Sequence, residues 1–248
     1  IGTLQILLLT SIFGGSLGVI NGWILSNCEF KFRKILRICQ LIPLAAPAYL
    51  VTAILQDLAS SMFGYQITGI WWGALILSIS TYPYVFLLTN ESFNKFGVNQ
   101  INASRGLGVG PWRSFFKIAF PMAIPALTTG ISLMSMEVIN ELGTFEMLNI
   151  PSISTGIYEN WNIAGGASGA IGLSLCSLLI VFSLIGLEKY SRRGTRRWSE
   201  NPSLSRSQGW KLKELRSILA ILTALFPALF SLGIPIVWVV YNFDQIHR

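Results

Sequence analysis

Six long apolar stretches, separated by polar segments, set the pattern of this chain. They run over residues 3–25, 35–56, 70–89, 115–137, 165–187 and 217–241. Each approaches or exceeds the about 20 mostly apolar residues that a helix needs to cross a bilayer. None alternates apolar and polar positions as a membrane strand would. Backbone N–H and C=O groups in lipid need internal partners, so the pattern predicts six helices. Membrane helices commonly contain glycine and proline, and these stretches hold Gly14, Gly15 and Gly18, then Pro43 and Pro47, then Pro121 and Pro125. The fold class is therefore an all-α polytopic membrane protein.

Composition agrees. Only 12% of the residues are charged, against roughly 25% in soluble domains. The distribution of charge then sets the orientation. The segments 26–37, 90–117 and 188–216 hold four, four and nine Lys or Arg, so 17 of the 18 lie on one side and only Arg248 on the other. The positive-inside rule places the basic side in the cytoplasm. With five acidic residues inside and six outside, the two faces carry +12 (17 − 5) and −5 (1 − 6). The net charge of +7 is thus a topology signal, and nucleic acid is not an expected partner because no compact basic domain exists to hold it. The acidic outer face has two readings. Excluding Lys and Arg leaves any outer loop acidic, or the entrance suits cations or a basic docking surface.

Little else in the chain suggests catalysis. Cys28, Cys39 and Cys176 are far apart and lack C-x-x-C spacing, so neither a disulfide framework nor a metal site is predicted. His247 stands alone. No signal peptide is apparent. No G-x-x-x-x-G-K-[ST] occurs, and G-L-G-V-G at 106–110 follows no strand of a βαβ unit, so no phosphate-binding loop is predicted. No cofactor is expected, and the chain is not expected to be an enzyme.

The polar stretch 102–121, N-A-S-R-G-L-G-V-G-P-W-R-S-F-F-K-I-A-F-P, lies between two apolar segments on the cytoplasmic side. Residues 102–107 suit a short helix. Gly108 and Gly110 permit a sharp turn, since glycine tolerates positive φ. Pro111 suits the first position of the next helix, and Trp112, Phe115 and Phe116 would anchor it at the interface. Ala103, Ser104 and Gly106 keep one surface small, and Arg105 and Arg113 offer charge to an acidic partner. The stretch resembles the EAA loop of bacterial ABC importer permeases, whose pattern is E-A-A, three residues, G, nine residues, I-x-L-P. Ala103, Gly108, Ile118 and Pro121 fall at the matching spacing, while Asn102, Ser104 and Phe120 replace the Glu, second Ala and Leu. The resemblance implies a bundle of the type I importer permease kind whose loop, residues 90–121, is gripped by a separate ATPase. ATP would be bound by that partner. Asn102 can still cap a helix, but it supplies no salt bridge.

The resemblance extends over nearly the whole chain. L-I-P-L-A-A-P-A-Y (41–49), T-Y-P-Y-V-F-L-L (81–88), E-L-G-T-F-E-M-L (141–148) and I-P-S-I-S-T-G-I-Y-E-N-W (150–161) look like ferric-iron permeases of the Fbp/Fut type. Those permeases fuse two six-helix halves. By that resemblance residues 1–187 cover most of a first half, 188–216 form a basic cytoplasmic linker, and 217–248 open a second half. The chain then reads as a piece of a longer permease, multi-pass in the bacterial inner membrane. It implies as partners two ATPase subunits, a periplasmic substrate-binding protein, a second permease half (fused or separate) and the lipid bilayer.

Several residues are candidates for the path. Glu137 lies 20 residues from Lys117, roughly 30 Å along a helix, near the outer boundary. Glu141 lies one turn further on the same face if the helix continues. A carboxylate facing lipid is costly, and carboxylates suit a hard cation such as Fe³⁺, so the two are candidates for an outer gate or for a binding-protein contact. Interfacial capping or solvation is the alternative. Pro121 and Pro125 free backbone carbonyls and suit a bend. Tyr82 and Tyr84 flank Pro83 and either bond within the bundle or line the inner exit. Residues 152–161 are expected as a short helix or re-entrant segment on the outer face. The expected function is ferric-iron import by alternating access. The alternatives are the same architecture for thiamine, a polyamine, a phosphonate, sulfate or molybdate, or an ion-coupled secondary transporter. No charged residue at mid-span supports the last.

Overall fold

The computed structural model describes residues 2–95, 104, 106–162, 167–193 and 210–242. Five helices are long and apolar enough to cross a membrane: Gly2–Asn27, Ile70–Asn94, Trp112–Asn140, Ala167–Ser191 and Glu214–Tyr241. A bent pair, Arg33–Ala45 with Ala48–Phe63, passes the same test when its two arms are taken together as one broken span. In chain order these are the first to sixth spans, the bent pair being the second.

The second span corrects the expectation of one continuous helix over 35–56. Its two arms meet at 84°. Prolines explain the break. Pro43 sits inside a 3₁₀ turn, Ile42–Ala45. Pro47 clashes with a helical neighbour, and Ala46 before it is extended at φ −106°, ψ 111°. Pro47 itself, at φ −57°, ψ 138°, opens the second arm.

Glycines set the centre of the bundle. Gly14, Gly18 and Gly22 recur every four residues and share one face of the first span, which packs on the third. A methyl at Gly18 would lie 2.7 Å from Val85 Cβ, and one at Gly130 of the fourth span 2.7 Å from Val85 Cα. Val85 is thus clasped between two glycine surfaces. Lipid gives apolar helices no reason to prefer one another, so such close backbone approach is what associates them.

Polar side chains staple the remaining spans. Gln40, fully buried, donates from Nε2 to Ala224 O at 2.6 Å and accepts on Oε1 from the Tyr82 hydroxyl at 3.0 Å. One amide thereby joins the second, third and sixth spans. Pro227 lies within the sixth span and has no N–H for the Thr223 carbonyl. Asn21 Nδ2 of the first span donates to that carbonyl at 3.4 Å. The fifth span meets the fourth along a hydroxyl seam: Thr128 Oγ1 donates to Ser191 Oγ at 3.2 Å and Thr129 Oγ1 to Glu188 Oε1 at 2.9 Å.

The bundle has two distinct ends. At one, the Ile153 N–H donates to Thr3 Oγ1 at 2.9 Å, Gly69 N–H to Leu148 O at 2.8 Å, and Trp238 Nε1 to Asp57 Oδ2 at 2.6 Å. The helix Ile153–Asn162 lies there, as expected for residues 152–161. At the other end Cys28–Glu29 pairs in parallel with Trp210–Lys211, a two-residue bridge that nothing in the pattern predicts. Burial pushes the Cys28 thiol up to about 11, with Arg33 pulling the other way, so it stays protonated and unreactive at neutral pH. Every Lys and Arg among the described residues belongs to segments at this second end, whereas Asp57, Glu137, Glu141, Glu146 and Glu159 belong to the first. This is the division expected of inner and outer faces.

Candidate functional site

The inner end of the fourth span carries the loop singled out by its sequence. Asn102, Ala103 and Arg105 lie outside the described residues. Ser104 and Gly106 are helical. Gly108 then takes φ +74°, and the Val109 N–H donates to Ser104 O at 2.9 Å. This six-residue closure around a left-handed glycine is the Schellman motif, which satisfies orphan carbonyls at a helix C-terminus. Pro111 opens the following helix, Pro111–Ser114, where its missing N–H costs nothing.

A side-chain bond locks the turn. Ser104 Oγ and Ser114 Oγ lie 2.8 Å apart, and both are buried. Ser104 therefore faces Ser114 within its own loop. The exposed surface belongs to other residues: Gly106, Leu107 and Gly108 at the tip, with Trp112 and Phe116 beside them. Leu107 is 84% exposed, Trp112 70% and Phe116 63%. Trp112 and Phe116 stack at 6.5 Å.

Phe115 departs from the expectation that it would join them at the surface. It is buried in an aromatic cluster under the loop, 5.1 Å from Trp23 and 6.3 Å from Phe93. Trp23 also meets Trp210 at 5.5 Å. The cluster joins the inner ends of the first, third and fourth spans to the segment that leads into the sixth. The sequence pattern singles out neither Ser114 nor this cluster. Two serines straddling a glycine turn are a weak local signal for the first, and no local signal marks Trp210.

Beyond Ser114 the helix widens. Residues Phe115–Ala119, including Ile118, form a π-turn, and the Phe120 N–H reaches back to Phe115 O. Pro121 follows and offers no N–H to the Lys117 carbonyl. A π adjustment is one way a membrane helix re-satisfies carbonyls that proline frees. At Pro125 the surroundings do the reverse, and its carbonyl accepts from Thr128 Oγ1 at 3.0 Å and from Thr129 Oγ1 at 2.9 Å. The fourth span is thus irregular where the loop enters and tied to the fifth span a turn beyond.

The remaining candidates are spread along the bundle. Tyr82 is fully buried and takes the bonding role, to Gln40, so it lines no surface of the described chain. Tyr84 is half-buried and packs with the cluster around Val85 and Phe115. Glu137 is exposed near the outer end of the fourth span. Glu141 corrects the expectation of a shared face. The helix ends at Asn140, and Glu141 is extended at φ −69°, ψ 130°. Its Oε1 accepts the Thr144 N–H at 3.0 Å, capping the short helix Gly143–Met147. No group of His, Cys, Asp and Glu among the described residues is placed to hold a metal ion.

The fourth span is thus proline-bearing, widened by a π-turn and entered through a hydrogen-bonded glycine turn. Residues 14–197 match the family of binding-protein-dependent transport system inner membrane components, and the chain belongs to that family of ABC importer permeases. It is 27% identical over 203 residues to the molybdenum transport system permease protein ModB of Escherichia coli, covering 75% of this chain and 87% of that one. It is 25% identical over 211 residues to the sulfate transport system permease protein CysT of the same organism, covering 77% and 76%. It is 21% identical over 243 residues to the Fe(3+)-transport system permease protein FbpB 2 of Haemophilus influenzae, covering 96% of this chain and 46% of that one. The fold resembles a chain of the inward-facing MetNI methionine ABC transporter, with a TM-score of 0.63 at 15% identity over 79% of this chain and 94% of that one.

Proposed function

We propose that this permease carries ferric iron across the bacterial inner membrane, coupled through its 104–121 loop to a pair of separate ATPase subunits. A periplasmic binding protein delivers the ion to the acidic face. ATP binding closes the ATPase pair, and the loop moves with it. The rigid Schellman turn passes that movement to the fourth span, where the π-turn and Pro121 give it a place to bend. The path is completed by a second permease half, fused or separate, and residues 188–216 serve as the linker towards it. Glu137, exposed near the outer end of the fourth span, faces that path or the delivering protein, because facing lipid would be costly. Glu141 supports the site by capping the next helix.

The observation that carries the substrate reading is the outer face. Its described residues include five carboxylates and no Lys or Arg, a poor setting for an oxyanion and a good one for a hard cation. The alignment with the Fe(3+) permease supports it, since that alignment spans 96% of this chain. A molybdate or sulfate substrate is the second reading, favoured by the higher identities of 27% and 25%. Uptake by cells lacking their own importers separates the two. With the complete permease, its ATPase and its binding protein expressed, ferric iron accumulates and molybdate and sulfate do not, and Glu137→Gln lowers iron uptake. Molybdate or sulfate uptake without iron uptake would overturn the substrate reading and leave the permease assignment intact.

A further inference from the structure

The third span, Ile70–Asn94, treats its buried hydroxyls in two ways. Ser78, Thr81 and Thr89 each donate to the carbonyl four residues back, Ala74 O, Leu77 O and Val85 O. Ser80 is also buried, at 6% exposed, yet its Oγ has no hydrogen-bond partner among the described residues. It lies ten residues into the span (80 − 70), about 15 Å, and so near the middle of a hydrocarbon core about 30 Å thick. A polar group left unpaired there is costly. Pro83, inside the same helix, adds a second polar atom, because it has no N–H for the Ile79 carbonyl.

Ser80, Tyr84 and Leu87 recur at helical spacing and share one face. Ser78 lies on the opposite side, where Gly14 of the first span packs on its backbone. Along the shared face burial falls towards the inner end: Ser80 is buried, Tyr84 half-buried and Leu87 43% exposed. One turn outward of Ser80 the helix is shut in. Ile76 and Leu77 are buried there in one core with Phe145 and Leu148, and Phe145 belongs to the short helix Gly143–Met147. Ser80 thus sits beneath an apolar outer plug, at the head of a face that opens inward. The fourth span crosses at this level, where Gly130 packs on the Tyr84 carbonyl and on Val85. Glu137 lies two turns outward on the same face as Gly130, and its charge acts on Tyr84.

We propose that the Ser80 hydroxyl, the Ile79 carbonyl and the Tyr84 hydroxyl form a mid-membrane stopping point for the transported cation, beneath the outer plug. For its ligand this rests on the ferric-iron reading. All three donors are oxygens, which a hard cation prefers. No group of His, Cys, Asp and Glu among the described residues is placed to hold a metal ion, and a transit site has to bind weakly enough to let its ion leave. A serine that served the helix alone would return its hydroxyl to the carbonyl four residues back, as Ser78 does.

Thiol labelling of the complete transporter in inside-out vesicles tests the site. Ser80→Cys should react with a cationic methanethiosulfonate in the nucleotide-free or the ATP-bound state. It should react more slowly with an anionic one, after each rate is corrected for reaction with a free thiol. Ser78→Cys, on the packed side, should stay unlabelled. No labelling of Ser80→Cys in either state, labelling equal to that of Ser78→Cys, or no preference for the cationic reagent would overturn the proposal. Transport gives a second measure. Ser80→Ala removes a hydroxyl that the fold does not use, so it should fold, and it should lower the ferric iron carried per ATP hydrolysed about fivefold, the scale of one polar contact. An unchanged ratio would overturn the stopping point and leave the ferric-iron reading intact. Absence of iron uptake by the unaltered transporter would instead fell that reading, and the ligand named here with it.

Discussion

Ser104 and Ser114 bridge the two arms of the cytoplasmic loop through a 2.8 Å hydrogen bond between their hydroxyls. The bond is buried while the tip residues Leu107 and Trp112 stand in the open. The loop is therefore braced from inside and leaves its tip exposed. Ser114→Ala removes this bond between the two arms, at a cost of about 0.5–1.5 kcal/mol. The reconstituted transporter should keep its fold and its basal ATP turnover but lose stimulation by the loaded binding protein. Stimulated turnover equal to wild type would remove the bridge from the coupling path.

Gly108 isolates the backbone part of that brace. Its φ of +74° is strained for any residue with a Cβ, while nothing lies within 4 Å of where that atom would stand. Gly108→Ala should cost about 1–2 kcal/mol through conformation alone, and Gly108→Asn less. Gly106→Ala, equally uncrowded but without a positive φ, should be neutral. Hydrogen exchange at the Val109 amide reads the effect, which should appear in the first variant and not in the last.

The centre of the bundle answers to a different rule. At Gly18 an added Cβ meets Val85 at 2.7 Å, so Gly18→Leu should force the first and third spans apart and abolish the folded, detergent-stable protein. Gly186→Ala, in the fifth span with nothing within 4 Å, should be tolerated. A normal elution profile and melting point for Gly18→Leu would contradict the close packing described.

The sequence pattern carries the spans, the sidedness and the glycine turn of the loop because these depend on local hydropathy, net charge and φ alone. It carries less where the outcome rests on distant partners. L-I-P-L-A-A-P-A-Y holds both prolines that break the second span, yet proline is common in membrane helices. Only the 84° bend shows that here the pair ends one helix and starts another. Glu141 looks like a continuation of the fourth span because E-V-I-N-E has helical spacing. The cap it offers to Thr144 becomes visible only once the chain has turned. The Gly14, Gly18, Gly22 repeat is plain in the sequence, but Val85, on which Gly18 packs, lies 67 positions later (85 − 18). Most of the tip surface of the loop is legible in the same way. Its inward brace is not, since Ser104 has the size of a contact residue and Phe115 the chemistry of an interfacial anchor.

Gln40 and Tyr82 offer a test of the polar staple. Tyr82→Phe removes a donor from Gln40 Oε1 in a fully buried setting, and should destabilise by about 1–3 kcal/mol. Pairing it with Gln40→Leu should cost less than the sum of the two single changes, because the orphaned amide is gone. Additive melting-point losses would show that the two residues do not act together.

The central claim, that the 104–121 loop is where the ATPase engages this permease, is most directly tested by proximity. A cysteine placed at the exposed tip, Leu107→Cys, in the complete transporter should form a cross-link to the ATPase subunit, with a yield that changes between ATP-bound and nucleotide-free states. Tyr158→Cys, at the opposite end of the bundle, should form none. Failure of Leu107→Cys to cross-link in an assembled, ATP-hydrolysing transporter, or a cross-link from Tyr158→Cys instead, would contradict the account.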